Sequence, residues 1–282
     1  MTKRTPLQNV LFYFVIIVIL FFVLGPYCWM ISSSFKTSIE IQGMNPTWIP
    51  QTLTLDNYIE MNNTVPIFTY FKNSIIVSGG TMIFSLILST LAAYGISRFR
   101  FKGRNLYVVI LMATQMLPGI LFVIPYFMLF TWIKSNLGIP MTNTFQGLIF
   151  TYTSFALPFS ILMLRNYLDS VPKSIDEQAL IDGCTRFQAL YKIIIPLAKP
   201  GLAAMGIYSF IMGWNEILFA TILTGTKTKT IALGLLQYIT QNQARWGQMM
   251  AACMFATLPI IIAFTAYQKH IVQGLVAGAT KG

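Results

Sequence analysis

SIDEQALIDGCTRFQALYKIIIP, from Ser174 to Pro196, is a polar, twice-punctuated stretch lying between long apolar runs. Ser174 and Glu177 have the S-x-x-E spacing of a capping box, in which the hydroxyl and the carboxylate each accept one of the backbone N–H groups that open a helix. Gly183 supplies a residue that accepts positive φ, the usual helix stop. Thr185 and Gln188 repeat the capping spacing at once, and Pro196 is expected to end the second helix. The stretch thus specifies two short helices joined at Gly183. A mere connector needs no such punctuation, whereas a loop that docks a partner does.

The runs on either side set the class. The chain has 282 residues, 55% of them hydrophobic and 10% charged, with a mean hydropathy of +0.66. Soluble domains carry about 25% charged residues, so the composition indicates an all-α integral membrane protein. About 20 apolar residues cross the hydrocarbon core, and six segments qualify: Val10–Ile31, Asn73–Ser97, Leu106–Trp132, Thr144–Arg165, Pro200–Leu223 and Gly247–Gln268. Pro118 and Pro125 predict kinks in the third, with backbone that faces protein or a cavity rather than lipid. Lys3 and Arg4 precede the first run as they would in a signal peptide, but no small-x-small site follows, and the span is expected to be retained.

Lys and Arg give the orientation. With both termini on one side, thirteen of the 19 basic residues fall there and six on the other, and the short loop SRFRFKGRN, residues 97–105, contributes four of the thirteen. Both termini and the Ser174–Pro196 loop are therefore expected to be cytoplasmic. The same bias accounts for the net charge of +11. The basic residues form no single patch, so nucleic acid is not an expected partner. The expected organisation is 1–71, the N-terminus, first span and external loop; 72–268, the core with its loop at 166–199; and 269–282, a cytoplasmic tail.

Chemistry-bearing constellations are scarce. No G-x-x-x-x-G-K-[ST] occurs, so the chain has no P-loop of its own. Cys28, Cys184 and Cys253 are far apart, and the single histidine, His270, has no companion ligand; no metal site is expected. Glu216, in Gly213-Trp214-Asn215-Glu216, stands apart. It lies about 16 residues into the fifth span, roughly 24 Å along a helix, where a carboxylate costs a few kcal/mol unless it faces water or a partner. Asn215 and Glu216 either line a translocation path or gate, or sit near the outer interface bonded to a neighbouring helix; in both cases Glu216 is expected to face protein.

Within the opening stretch, Phe187, Leu190, Tyr191 and Ile194 fall on one helical face. Ile175, Ala179 and Leu180 give the first helix a small apolar surface beside Asp176 and Asp182, a combination suited to a cleft on a soluble partner. The alternative is an ordinary interfacial loop helix. A helix this short must be held by contacts.

Glu177-Gln178-Ala179, three residues, Gly183, nine residues and Ile193-x-Ile195-Pro196 resemble the EAA motif, E-A-A-x3-G-x9-I-x-L-P, of permease subunits in bacterial ABC importers. Gln178 and Ile195 depart from it conservatively. Ser34-Phe35-Lys36, Thr54-Leu55-Asp56-Asn57-Tyr58, Gly213-Trp214-Asn215-Glu216 and the tail Gly274–Gly282 resemble the carbohydrate-uptake branch, and the whole chain is similar to the smaller, six-span permease of the maltose transporter.

The resemblance implies a type I ABC importer permease fold of six transmembrane helices, with a coupling helix between the fourth and fifth. It implies that Ser174, Glu177, Ala179, Gly183 and Pro196 couple the chain to an ATPase, and that tail residues such as Gly278 and Lys281 reach that ATPase; on sequence alone a frayed terminus is the alternative. The implied function is import of a sugar or oligosaccharide across the bacterial plasma membrane. The implied partners are a second homologous permease, two ATPase subunits, an extracytoplasmic solute-binding protein and the lipid bilayer. ATP and Mg would be bound by the ATPase, with no cofactor and no catalytic site in this chain. An ion-gradient-driven secondary transporter is the rival; it would explain Glu216 and the broken third span but not the doubly capped loop.

Overall fold

A computed structural model describes residues 5–279, with the side chains of residue 267 and of residues from 269 on left aside. The described residues are helical throughout apart from connecting loops and one isolated bridge, Ile239 to Ala244. In chain order the helices are α1 (Pro6–Ser34), α2 (Ser38–Gln42), α3 (Asp56–Thr64), α4 (Ile67–Arg98), α5 (Arg104–Met116), α6 (Val123–Leu137) and α7 (Phe145–Asp169). Then come α8 (Lys173–Ile181), α9 (Arg186–Ala189), α10 (Ile195–Leu197), α11 (Lys199–Trp214), α12 (Leu218–Leu223), α13 (Ile231–Leu235) and α14 (Trp246–Ala279). The chain divides into two compact units, residues 5–68 with 234–258, and residues 69–233 with 259–279.

Among the described residues five stretches are long and apolar enough to cross a membrane as they stand, and a sixth appears when the pair Arg186–Leu197 and Lys199–Trp214, bent by 80°, is taken as one. Two predicted spans are not continuous. The third breaks at Leu117-Pro118 and resumes as a 3-10 turn, Gly119–Phe122, leading into α6. Pro118 cannot donate a helical N–H, so the break falls there. Pro125 makes no second kink, because it lies in the first turn of α6, where its missing N–H has no partner to lose. The fifth span stops at Trp214 and restarts at Leu218. The sixth runs past its predicted end, as α14 stays helical through Ala279.

In the first unit α1 opens with a full capping box, Thr5 with Gln8, and Pro6 at its first position. Only Ser33 and Ser34, in its last turn, are buried. A helix apolar all round and uncovered by its own chain is suited to lipid or to another subunit. The loop after it is ordered by polar side chains. Lys36, 2% exposed, donates to the Thr47 carbonyl and lies 4.5 Å from the centre of the Trp29 ring. Asn57 donates to the carbonyls of Ser34 (3.0 Å) and Lys36 (2.7 Å). Glu40 accepts from the Thr47 hydroxyl at 2.6 Å, the main cause holding its carboxyl below the ordinary 4.5. This loop carries the short helices α2 and α3.

In the second unit α7 is the central helix, with α5, α11 and α12 packed on it. Close approach comes from small residues. Ser74, Ser78, Thr81, Ser85 and Ser89 of α4 are all fully buried, and a Cβ at Gly213 would stand 3.3 Å from the Ser78 Cα. Between lipid-borne helices there is no hydrophobic drive to associate, so backbone proximity and van der Waals contact take its place. Aromatic rings fill the space near the two broken spans: Tyr126 and Phe155 both lie against Phe219, at 5.7 and 5.0 Å between ring centres.

One glycine of α7 admits no side chain. A Cβ at Gly147 would overlap the Met141 carbonyl oxygen, a backbone atom that cannot step aside, whereas Gly79 on α4 has nothing within 4 Å. Gly147→Ala is expected to destabilise by about 1–3 kcal/mol, read as a lower melting temperature in detergent, with Gly79→Ala near wild type. Equal melting temperatures for the two variants would contradict this packing.

Candidate docking element and helix break

The Ser174–Pro196 stretch folds as helix, glycine, helix, with differences in detail. Its first helix, α8, starts at Lys173 with Pro172 at the N-cap position and no side-chain cap bond. Ser174 is therefore not a cap, and the predicted box with Glu177 does not form. The proline, at φ −55°, already sets the chain for helix entry. The C-terminus of α8 follows expectation. Gly183 has φ +83°, its N–H donates to the Leu180 carbonyl (3.1 Å), and the Cys184 N–H reaches the Ala179 carbonyl (3.0 Å). That pair of bonds is a Schellman closure. The second box is present as predicted: the Gln188 N–H donates to the Thr185 hydroxyl and the Thr185 N–H to the Gln188 side chain.

Pro196 does not end the second helix. The chain passes from α9 through a π-helical turn, Leu190–Ile194, into α10, which contains Pro196, and breaks only at Ala198. A proline ring collides with the carbonyl four residues back in a regular α-helix, and the wider π turn just before it relieves that collision. The predicted apolar stripe is divided by burial. Leu190 and Ile194 are in the core with Leu164 and Leu168 of α7, while Phe187 and Tyr191 are exposed at 69% and 64%.

The two faces of α8 differ in the same way. Ser174, Glu177, Gln178 and Ile181 are exposed at i, i+3, i+4 and i+7, with Ile181 at 84%. Ala179 is buried, on the inner face rather than the outer one. So is Asp176, which the sequence placed among groups offered to a partner. Its carboxylate lies 2.8 Å from Arg98 Nε of α4, a charge contact whose N–H is not aligned on the oxygen, and accepts from the Tyr94 hydroxyl at 3.0 Å. Both charged side chains are under 10% exposed; removing one partner of such a pair costs about 3–5 kcal/mol. Arg98, counted in the sequence only as a cytoplasmic charge, also donates to the carbonyls of Leu168 (3.1 Å) and Val171 (3.1 Å). The signal available beforehand was the position of Asp176, three residues before Ala179 on the face that carries α8's apolar side chains.

At the other candidate position, the fifth span is open across Asn215, Glu216 and Ile217. Asn215 is exposed and Glu216 half-buried. The Glu216 carboxylate accepts from the Phe219 N–H (2.9 and 3.1 Å) and the Ala220 N–H (3.1 Å), and the buried Tyr152 of α7 faces it. It therefore faces protein, and it satisfies the amide donors that the break leaves open. These bonds are with the next helix of its own span, not with a neighbouring one. Gly119, at the other break, stands about as close to Phe219: a Cβ there would be 3.9 Å from its ring. Gly278 lies near the end of α14 and Lys281 lies outside the described residues. Among the described residues no group of three or more His, Cys, Asp or Glu could hold a metal.

Known proteins carry the same architecture. Residues 85–276 match the family described as binding-protein-dependent transport system inner membrane component. The inner membrane ABC transporter permease protein YcjP of Escherichia coli strain K12 is 36% identical, over 100% of this chain and 99% of its own. The trehalose/maltose transport system permease protein MalG of Thermococcus litoralis is 37% identical over 92% of each chain. Among solved structures, a chain of a bacterial ABC transporter involved in the import of the acidic polysaccharide alginate superposes with a TM-score of 0.78, covering 96% of this chain and 100% of that one; at 21% identity it speaks for the fold alone. The chain belongs to the family of inner-membrane components of binding-protein-dependent transport systems, the permeases of ABC transporters, in which ATP hydrolysis is the work of a separate subunit.

Proposed function

We propose that this permease imports a sugar or oligosaccharide into the cytoplasm and that α8 is the helix on which a separate ATPase docks. The observation that carries the docking is the division of α8 into a buried face, fixed by Asp176 and Ala179, and an exposed face of Ser174, Glu177, Gln178 and Ile181. A short helix held rigidly from behind presents a preorganised surface at low entropic cost. The near-neutral apolar tip at Ile181, flanked by Glu177, suits a groove with a basic edge. The trehalose/maltose relative, similar over 92% of each chain, supports the substrate class.

In the assembly the chain pairs with a second homologous permease and with two ATPase subunits that bind ATP and Mg, and a solute-binding protein delivers the substrate from outside. Both termini and α8 face the cytoplasm, a placement supported by the distribution of Lys and Arg, and the membrane is the bacterial plasma membrane. Closure of the ATPases on ATP displaces α8 and, through it, the helices around the path. Gly183, left-handed and closed by the Schellman bonds, sets the angle between α8 and α9. Phe187 and Tyr191 remain exposed beside α8 and extend the surface offered to the ATPase. The ion-gradient reading of Glu216 lapses because its carboxylate is engaged by backbone donors.

Three outcomes test this reading. A cysteine at Ile181 is expected to cross-link to the ATPase in inverted membrane vesicles; cross-linking to the solute-binding protein instead would place α8 on the wrong side. Glu177→Lys, and Gly183→Val, which puts a β-branched residue at φ +83°, are expected to release the ATPase or to cut uptake at least about tenfold, a loss of roughly 1.4 kcal/mol of coupling; full stimulation of hydrolysis by loaded binding protein in both would refute docking here. Glu216→Gln keeps an acceptor for the α12 amides and is expected to transport, whereas Glu216→Leu removes it, costs about 1–2 kcal/mol and lowers the melting temperature. Loss of uptake in Glu216→Gln equal to that in Glu216→Leu would show that the charge, not the cap, matters.

A further inference from the structure

The last two turns of α4 make more polar contacts with the docking element than a helix end needs. Arg98 closes α4, and its guanidinium faces three ways at once: Nε against Asp176 of α8 (2.8 Å), Nη1 to the Leu168 carbonyl in the last turn of α7 (3.1 Å), and Nη2 to the Val171 carbonyl in the link between α7 and α8 (3.1 Å). One turn earlier, the Tyr94 hydroxyl donates to the second oxygen of Asp176 (3.0 Å). Between them the Ser97 hydroxyl donates to Asp169 at the end of α7 (2.6 Å). The residue after α4, Phe99, lies under the guanidinium of Arg186 in α9, 4.9 Å from its ring centre, and stands edge-on to Tyr94. Both short helices of the docking element are thus tied to a single six-residue stretch, Tyr94 to Phe99.

The chemistry of these ties is directional. A guanidinium is planar and presents its donors in a fixed fork, so the Leu168 and Val171 carbonyls fix its plane, and the charge contact with Asp176 brings α8 to the same group. The Leu168 carbonyl is among the last four of α7, beyond the reach of i+4 helical donors, and it accepts from the Val171 N–H as well as from Arg98. A buried ion pair contributes little net stability over a well-packed apolar substitute. What such a network does supply is a fixed geometry, which apolar packing of similar size specifies less sharply. A helix of nine residues such as α8 cannot hold its own geometry under load.

We propose that the Arg98–Asp176–Tyr94 network makes α8, the C-terminal end of α4 and the C-terminal end of α7 one rigid block, so that displacement of the docking helix enters the membrane bundle through α4 and α7. Arg98, Asp176 and Tyr94 are positioning residues in this scheme; none meets the substrate or the ATPase. The second arm, α9 with the π turn, runs on through α10 into α11 across the 80° bend and gives the same displacement a separate route. The left-handed Gly183 joins the two arms. The inference rests on the reading of α8 as the ATPase docking helix.

The test uses the complete transporter in proteoliposomes, measuring hydrolysis and uptake together. Asp176→Asn preserves volume and the Tyr94 bond but removes the charge. It is expected to retain the ATPase subunits and their stimulation by loaded binding protein while solute moved per ATP falls on the order of tenfold. An unchanged ratio overturns the inference, as does loss of the ATPases, which would make the network a support for docking alone. A second measurement does not depend on that variant folding. With Cys28, Cys184 and Cys253 replaced by serine, nitroxides at Leu91 of α4 and Lys173 of α8 report the distance across the block in the otherwise native complex. It is expected to be the same without nucleotide and in the ATP-trapped state, and a change of about one helical turn, ~5 Å, overturns the proposal. The docking reading fails separately: it falls if cysteine at Ile181 does not cross-link to the ATPase, whereas a cross-link with an unaltered solute-to-ATP ratio in Asp176→Asn sinks only the rigid block.

Discussion

An N–H or C=O group inside a membrane has no water to fall back on, and each one left unpaired costs several kcal/mol. The rest of this molecule follows from that constraint. It makes the spans helical, and it makes each interruption of a span an accounting problem with a visible answer. At the fifth span the answer is Glu216, whose carboxylate takes the amides that open α12. At the third the break falls where Pro118 has no N–H to leave unpaired. The two breaks come together around Phe219, although Leu117, Ile120 and Leu121 at the third span's break stay exposed on this chain.

The same accounting applies to the loop that runs from α8 to α10. Arg98 reaches from α4 to the Leu168 carbonyl in the last turn of α7 and to the Val171 carbonyl just beyond it, with the carboxylate of Asp176 beside it. One side chain therefore closes a helix, neutralises a buried charge and orients α8. The π turn before Pro196 serves a related end: it absorbs a proline without ending the helix, so α9 remains joined to α10 and the break comes only at Ala198, before α11. Polar ties on one side of Gly183 and the bent path through α9, α10 and α11 on the other give α8 two connections to the long helices.

Much of this was legible in the residues. Class came from the hydrophobic runs, a signal additive over many positions and tolerant of local error. Gly183 and the Thr185–Gln188 box were legible because φ sign and local capping are decided within four or five residues. Ser174 was misread because the same spacing fits a cap or an exposed helical surface, and Pro172 had already taken the role of starting α8. Asp176 was misread because an acidic side chain in a polar loop looks solvent-directed until its partner, 78 positions back at Arg98, is brought to it (176 − 98).

The sequence by itself determined what each segment must be: apolar runs long enough to span, a loop punctuated into two helices, no nucleotide-binding loop, and a motif that resembles that of ABC importer permeases. These are local properties, set by composition, periodicity and the conformational limits of Gly, Pro and the capping residues. Only the tertiary structure decided which face of α8 is offered outward, which charges are spent on holding it, and how the fifth span accommodates a carboxylate. Those depend on pairings between residues far apart in the chain, and no spacing rule encodes the geometry of an Arg98 that meets α7 and α8 at once.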